Sequence, residues 1–528
     1  MKAHLARCCH FVLLAAALAQ AADLYRVSGV VVNSETGTPL PRAIVAVQME
    51  TGPVISRQVT ASDGRFSFAL PEGKYRLAAG TPDAMEQYGL RAADVLVASA
   101  VITGPGKDTA SLVFRWRPVS AIFGKIVDDN GDPVENALVQ LIAARVTAGR
   151  REITTFGWQR TDDRGEYRFG RIVGGTYYLA VTGTPWYAQR ARIGGPDASE
   201  SMAFAPIYYP NTADPTAAAP LTLRSGEEVR ADFTLRAVPG ATLTVTYDSP
   251  LLPSGTVALV QEGIGGTNGF QREERTRGFR QVLSGVPPGR YLVRVTGTRA
   301  NGTVSAHQWI TLSSTDLEVK LTLRPVPSLS GTLAWKNPAA RPPGTVLITA
   351  LSEDRSNSSV TVSTKPDGSF TFGNLPSGRY RPAVRIGSTY FPVTLHAEGG
   401  ACTDGVLDLA EDETVTLQMT AFAETGTVKG YAKQAGLPLE GAMVVLAPVQ
   451  DKGDWLAYRG FQTDSDGSFD FANVPVGDYF LFTVDDVHVE YTNPTVIRPF
   501  FFAAKRVHVE QGDRIAQDLD VLPPRDKP

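Results

Sequence analysis

The chain has 528 residues, too many for one core at roughly 100–150 residues per domain. With 43% hydrophobic and 20% charged residues, and with Gly 50 and Pro 36, it is neither disordered nor collagenous but a turn-rich globular chain. A net charge of −3 and the lack of a basic run in the body exclude nucleic acid as a partner class.

Residues 1–21 read as a secretory signal. Lys2 and Arg7 stand without an acid, an apolar run follows from Phe11 to Ala19, and Ala19-Gln20-Ala21 is a small-x-small cleavage site that leaves Ala22 first. Cys8 and Cys9 precede the apolar run, on the wrong side for a lipid-modified cysteine, so Cys402 is the only cysteine of the mature chain. No intrachain disulfide can then form, and each domain must be held by its apolar core. No later segment approaches 18 unbroken apolar residues. The expectation is a soluble extracytoplasmic protein (secreted, periplasmic or at the cell surface) with no transmembrane anchor in the mature chain.

Five units follow in order. Unit one (22–118) carries Gly29, Pro39-Leu40-Pro41-Arg42-Ala43, Thr60-x-x-Asp63-Gly64-x-Phe66 and Gly73-x-Tyr75. Unit two (119–238) repeats this as Gly124, Pro133-Val134-Glu135-Asn136-Ala137, Thr161-x-x-Arg164-Gly165-x-Tyr167 and Gly175-x-Tyr177, then adds an insertion from Trp186 to Thr212. Unit three (239–326) has lost the Thr/Gly turn and keeps Val286-Pro287-Pro288-Gly289-Arg290-Tyr291. Unit four (327–424) has Thr364-x-x-Asp367-Gly368-x-Phe370 and Gly378-x-Tyr380. Unit five (425–528) has Gly430, Pro438-Leu439-Glu440-Gly441-Ala442, Thr463-x-x-Asp466-Gly467-x-Phe469 and Gly477-x-Tyr479, with a smaller insertion from Tyr491 to Phe502.

Each unit reads as a β-meander. A polar turn such as Ser465-Asp466-Gly467 feeds an alternating strand through Phe469 and Phe471, and a Pro/Gly corner leads into the strand opened by Tyr479. The glycine of the first strand predicts a place where the opposite sheet approaches closely. The joints Arg117-Pro118-Val119, Arg236-Ala237-Val238-Pro239 and Arg324-Pro325-Val326-Pro327 are short and proline-restricted, which predicts a semi-rigid rod of beads.

The pattern Gly124, Pro133 to Ala137, Thr161, Gly165, Tyr167 and Gly175-x-Tyr177 resembles the carboxypeptidase regulatory-like domain, best in units one, two and five. The resemblance implies an all-β chain, a tandem array of about five Greek-key, transthyretin-like (prealbumin-like) β-sandwiches, related to starch-binding-like and Cna-B stalk folds. It implies a non-catalytic module and not a carboxypeptidase.

The residues agree with that expectation. A zinc hydrolase needs three protein ligands around an open position, yet none of His307, His396, His488 and His508 has Glu at the third following residue. Cys402, beside Thr403 and Asp404, has no general base in sequence reach. Asp128-Asp129-Asn130-Gly131-Asp132 alternates oxygens as a calcium loop does, but Pro133 stands where such a loop needs Gly. No metal, cofactor or catalytic residue is expected. For an isopeptide crosslink of the Cna-B type, Lys125 and Lys429 are the candidate donors, without a Glu on the strands after Gly-x-Tyr.

Sugar rings pack on exposed aromatic faces beside fixed polar partners. Candidates for such a platform are Trp186, Tyr187, Tyr208 and Tyr209 in the unit-two insertion, with Trp455 and Tyr458 before the fifth turn, whereas Trp158, Trp309 and Trp335 read as strand or core residues. The expected function is a non-enzymatic exported binding protein, carbohydrate-binding in its sharper form, with glycans, envelope polymers or another envelope protein as partner. The alternatives are a structural stalk or adhesin, and an accessory partner of a peptidase or transporter.

Overall fold

The computed structural model describes residues 23–49, 53–80, 96–97, 100–107, 109–147, 149–191, 202–266, 269–299, 302–353, 359–373, 375–387, 389–450, 454–486 and 489–522. The leader, His488 and residues 192–201 of the unit-two insertion therefore lie outside the described residues.

The elements are strands with a few single-turn helices. In unit one, Tyr25–Asn33 pairs antiparallel with Arg65–Leu70 and parallel with Leu112–Trp116. Facing this sheet, Ile44–Met49 lies between Val54–Val59 and Gly73–Gly80. Alternation sets the inner face. Phe66, Phe68 and Leu70 are buried while Arg65, Ser67 and Ala69 are exposed, and they meet Val45, Val47 and Leu77 of the other sheet.

The same connectivity recurs. The first strands Ser120–Asp128, Ser328–Trp335 and Thr425–Gln434 each pair antiparallel with the strand after the polar turn and parallel with the last strands of their unit. A parallel first-to-last pairing cannot come from hairpins, so each sandwich is closed by a crossover from its other sheet. Unit three departs. Without its polar turn, Gln271–Val286 runs on and pairs with both ends of Ala241–Gln261, so the two layers form one six-stranded sheet. Buried Thr276 there bonds the hydroxyl of Tyr247.

Three local devices explain the repeat. The Thr hydroxyl ties the turn to the Pro-x-x-x-Ala segment. Thr60 Oγ1 accepts from Ala43 N (2.9 Å) and donates to Leu40 O (2.8 Å), Thr161 does so with Ala137 (2.9 Å) and Val134 (2.6 Å), and Thr463 with Ala442 (2.9 Å) and Leu439 (2.7 Å). The turn glycines Gly64, Gly165, Gly368 and Gly467 have φ of 71°, 72°, 82° and 76°, a region that costs side-chain-bearing residues energy. The corner tyrosine closes its own loop. Tyr75, Tyr177, Tyr291 and Tyr479 donate to the carbonyls of Pro71, Val173, Pro287 and Pro475 at 3.1, 2.8, 2.7 and 2.9 Å.

The first-strand glycine acts differently from the expectation. A Cβ on Gly29, Gly124, Gly331 or Gly430 would strike the main-chain carbonyl of Leu112, Ala231, Leu417 or Gln517. It admits the last strand of its own sheet, not the opposite sheet. Gly331 brings unit four into this set, which its sequence did not reveal.

The rod of beads is also corrected, because unit five folds back onto three others. Toward unit one, Ser465 N donates to Ala100 O (2.9 Å), Lys74 Nζ meets Asp464 (2.9 Å) and Lys107 Nζ meets Asp466 (2.6 Å). Toward unit two, Thr492 Oγ1 donates to Gly149 O (2.7 Å), the Tyr491 ring covers Gly149, and Arg151 faces Glu490 (3.6 Å). Toward unit four, Arg381 lies 3.8 Å from Asp454. Consecutive units touch too, through Ile264 against Ile142, Ala180 and Tyr208, and through His307 with Glu411 (3.2 Å). Stiff joints fix local dihedrals, but their accumulated bend is decided by these later contacts.

Candidate functional site

The six aromatic candidates do not form one platform. Tyr208 is only 1% exposed, packs with Ile142 and Ile264 at the junction of units two and three, and burial first, then the Asp214 charge, pushes its hydroxyl up to about 12. Tyr209 lies edge-on to Phe233 against the unit-two core, with a cis bond to Pro210. Tyr458 is buried in a second cluster of unit five with Phe482 and Ile497. Tyr208 and Tyr209 are packing residues because the strand Ile207–Tyr208 joins the sheet and carries the insertion back into the sandwich, and Tyr458 is one because it fills the unit-five cluster.

Trp186 and Tyr187 do stand together. They open the short helix Trp186–Ala191, with ring centroids 5.5 Å apart, edge to face, and Trp186 is 59% exposed. Burial first, then Asp129 and Asp128, raises the Tyr187 hydroxyl. Trp158, read as a strand or core residue, is on the strand Arg150–Arg160 but 64% exposed, while Trp335 packs edge-on to Phe391.

Trp455 pins three units. Its Nε1 donates to Glu353 Oε1 of unit four (3.4 Å), and the guanidinium of Arg150 of unit two stacks over its ring at 4.4 Å. Glu353 also takes Arg381 Nε (3.1 Å) and faces Arg150 (3.8 Å). No sugar can use that ring face while Arg150 covers it.

Other candidates resolve plainly. Lys125 and Lys429 occupy outward positions, alternate to buried Ile126 and Val428, so neither amine reaches a core carboxyl. Asp128 Oδ1 accepts from Asn130 N and Asp132 N, both at 2.9 Å, as a turn does. Among the described residues no group of three His, Cys, Asp or Glu could hold a metal ion.

A concavity that the repeated motifs do not announce lies between units four and five. It is a cleft of ≈ 1230 Å³. One wall is the run Tyr390 to Ala397 with Cys402, and the other comes from Asp454, Arg459 and Pro475 to Tyr479. Arg381, at its base, is held by Glu353 and by Asp404 O (3.1 Å). Burial lowers the Arg459 guanidinium, which donates to Ala472 O (2.9 Å). Burial raises the Cys402 thiol, only partly offset by Arg381 and the Gly405 N–H, so it is a poor nucleophile. No single-unit motif could reveal this cleft, since its walls lie far apart in sequence.

The fold and these contacts define a tandem array of Greek-key β-sandwiches whose turns, corners and first-strand glycines follow one plan in units one, two, four and five. The family model of the carboxypeptidase regulatory-like domain matches residues 26–100, within unit one. No curated protein matches the chain. Solved structures similar to it include the TIE protein of Bacillus anthracis (12% identity, 76% of this chain and 74% of that chain, TM-score 0.17). The minor pilin GBS52 of Streptococcus agalactiae is 15% identical over 41% of this chain and 97% of that one, TM-score 0.22. The shaft pilin SpaA of Lactobacillus rhamnosus GG is 10% identical over 41% and 98%, TM-score 0.21. Among the described residues no helix is long and apolar enough to cross a membrane.

Proposed function

We propose that this chain is an exported, non-catalytic binding protein of the cell envelope or exterior, and that its ligand sits in the cleft between units four and five. The boundaries 22–118, 119–238, 239–326, 327–424 and 425–528 are taken as its five domains. The observation that carries this reading is the threefold anchorage of unit five. Because it is held by Lys74 and Lys107, by Gly149 and Arg150, and by Glu353 and Arg381, the cleft is a standing concavity and not a passing gap. Export rests on the leader and on the cysteine-poor mature chain. The non-catalytic part of the reading rests on the sequence, in which no histidine has Glu at the third following residue.

Photocrosslinking in the native cell tests this. A benzoylphenylalanine at Thr394, in the cleft, is expected to capture an envelope component that the same residue at Trp158 does not. Equal capture at both positions, or none, sinks the assignment.

A second reading keeps the carbohydrate expectation at the pair of exposed Trp186 and half-buried Tyr187. Loss of glycan capture in a Trp186→Ala, Tyr187→Ala double variant would favour it. Retained capture removes it.

A further inference from the structure

Among the described residues, the cleft's unit-four wall is an edge of its sheet with no further strand paired to it. Val393–Glu398 pairs with Thr414–Ala421 on one side and ends the sheet order on the other. Five consecutive residues, Val393 to Ala397, line the cleft. Successive side chains alternate between faces, so an unbroken run can line a cavity only if the main chain itself faces it.

The register says which groups are on offer. Phe422 N donates to Pro392 O (3.0 Å), which makes residue 392 a hydrogen-bonded position of the antiparallel ladder. Residues 394, 396 and 398 then bond inward to Thr414–Ala421, and the N–H and C=O groups of Val393, Leu395 and Ala397 point outward into the cleft. The side chains of those three are only partly buried against the unit-four core, as is Cys402. The sandwich is thus open at this edge both for hydrogen bonds and for apolar cover.

We propose that the cleft binds an extended peptide segment of a partner protein, added as a further strand to Val393–Glu398. This rests on the reading that the cleft is the ligand site. The outward row of alternating donors and acceptors matches the two-residue period of an extended peptide backbone. Apolar residues at alternate positions of the peptide would cover Val393, Leu395 and Ala397. The lining sets Asp404, Asp454 and Asp478 against Arg381, Arg459 and His396, with Asp478 bonded by His508 (2.8 Å) and Asp454 facing Arg381 (3.8 Å), so its charge is close to balance and the main-chain row decides what binds. Over Val393 to Ala397 the edge spans roughly 13 Å, enough to set a register.

The test uses the full mature protein and a displayed library of random dodecapeptides. Enriched peptides are resynthesised with N-methyl groups at alternate positions, in one register or the other. Methylation in the register that faces the edge is expected to weaken binding about tenfold or more, and in the other register less than about twofold. Leu395→Pro removes an outward N–H without touching the ladder and should weaken binding similarly. Equal losses in both registers, or no enriched peptide, overturn strand addition. The register test needs only the unmodified protein, so it stands if the proline variant misfolds. Capture at Thr394 with no register effect would keep the cleft as a site while removing the peptide.

Discussion

The polar turn of unit two and that of unit five are built alike and end differently. In both, a buried Thr hydroxyl and a glycine of positive φ fix the backbone, and an aspartate accepts N–H groups within the turn, Asp162 from Arg164 and Glu166, Asp466 from Ser468. In unit two the turn then faces solvent, with Asp162 and Arg164 exposed. In unit five Asp464 and Asp466 meet Lys74 and Lys107, while Ser465 bonds Ala100 across the gap to unit one. Since Thr and Gly already satisfy the local geometry, the acids are free to vary, and in one copy they became a tertiary contact.

The shared half of this comparison should break with the largest effect. Gly124→Ala and Gly430→Ala each drive a methyl into the last strand and should destabilise their units by about 3 kcal/mol, with no difference between them, in chemical denaturation. Thr161→Val and Thr463→Val should each cost about 2 kcal/mol, since a buried donor–acceptor pair is removed while its main-chain partners stay. A clear difference within either pair would show that the copies are not equivalent even locally.

The unshared half comes next. Asp464→Asn with Asp466→Asn should loosen unit one from unit five, worth about 1 kcal/mol per partly buried pair, and raise the radius of gyration in small-angle scattering. Asp162→Asn should leave the shape unchanged. The contact is also pH-dependent. Burial works against the Asp466 charge, but bonds from Lys107 and Ser468 outweigh it and hold the carboxyl below its ordinary 3.8. The bond to Asp466, against burial, raises Lys107 above 10.5. A depressed carboxyl stabilises above its unfolded value and loses that contribution as pH falls through the folded one. A raised amine stabilises below 10.5 and loses it as pH climbs further. The compact shape should therefore persist at neutral pH and relax in strong acid or strong alkali. High salt should act in the same direction.

The smallest effect is expected at Trp186. Its truncation to Ala should change stability by less than about 0.5 kcal/mol, because the ring is exposed. Trp455→Ala should instead weaken the hold between units two, four and five, read as faster proteolysis at their junction.

Much of the fold was legible because its causes are local. Alternation at Phe66 and Phe68, the Thr-x-x-x-Gly turn and the Gly-x-Tyr corner are each written within a few residues, and the bonds of Thr60 and Tyr75 follow from them. The candidate site was legible only in part. Nothing in the neighbours of Tyr208 announces that Ile264 will bury it, and nothing near Trp455 announces Arg150. An aromatic residue in a loop reads the same whether it meets solvent, a core or a guanidinium.

The sequence by itself thus determined the sandwich and its turns in units one, two, four and five, because hydrogen bonding and hydrophobic alternation act over short spans. Only the tertiary structure decided that the chain closes on itself and leaves a strand edge in the wall of a cleft. Those features depend on pairs such as Lys107 with Asp466, set by the summed orientation of all the domains between them and by no single stretch of residues.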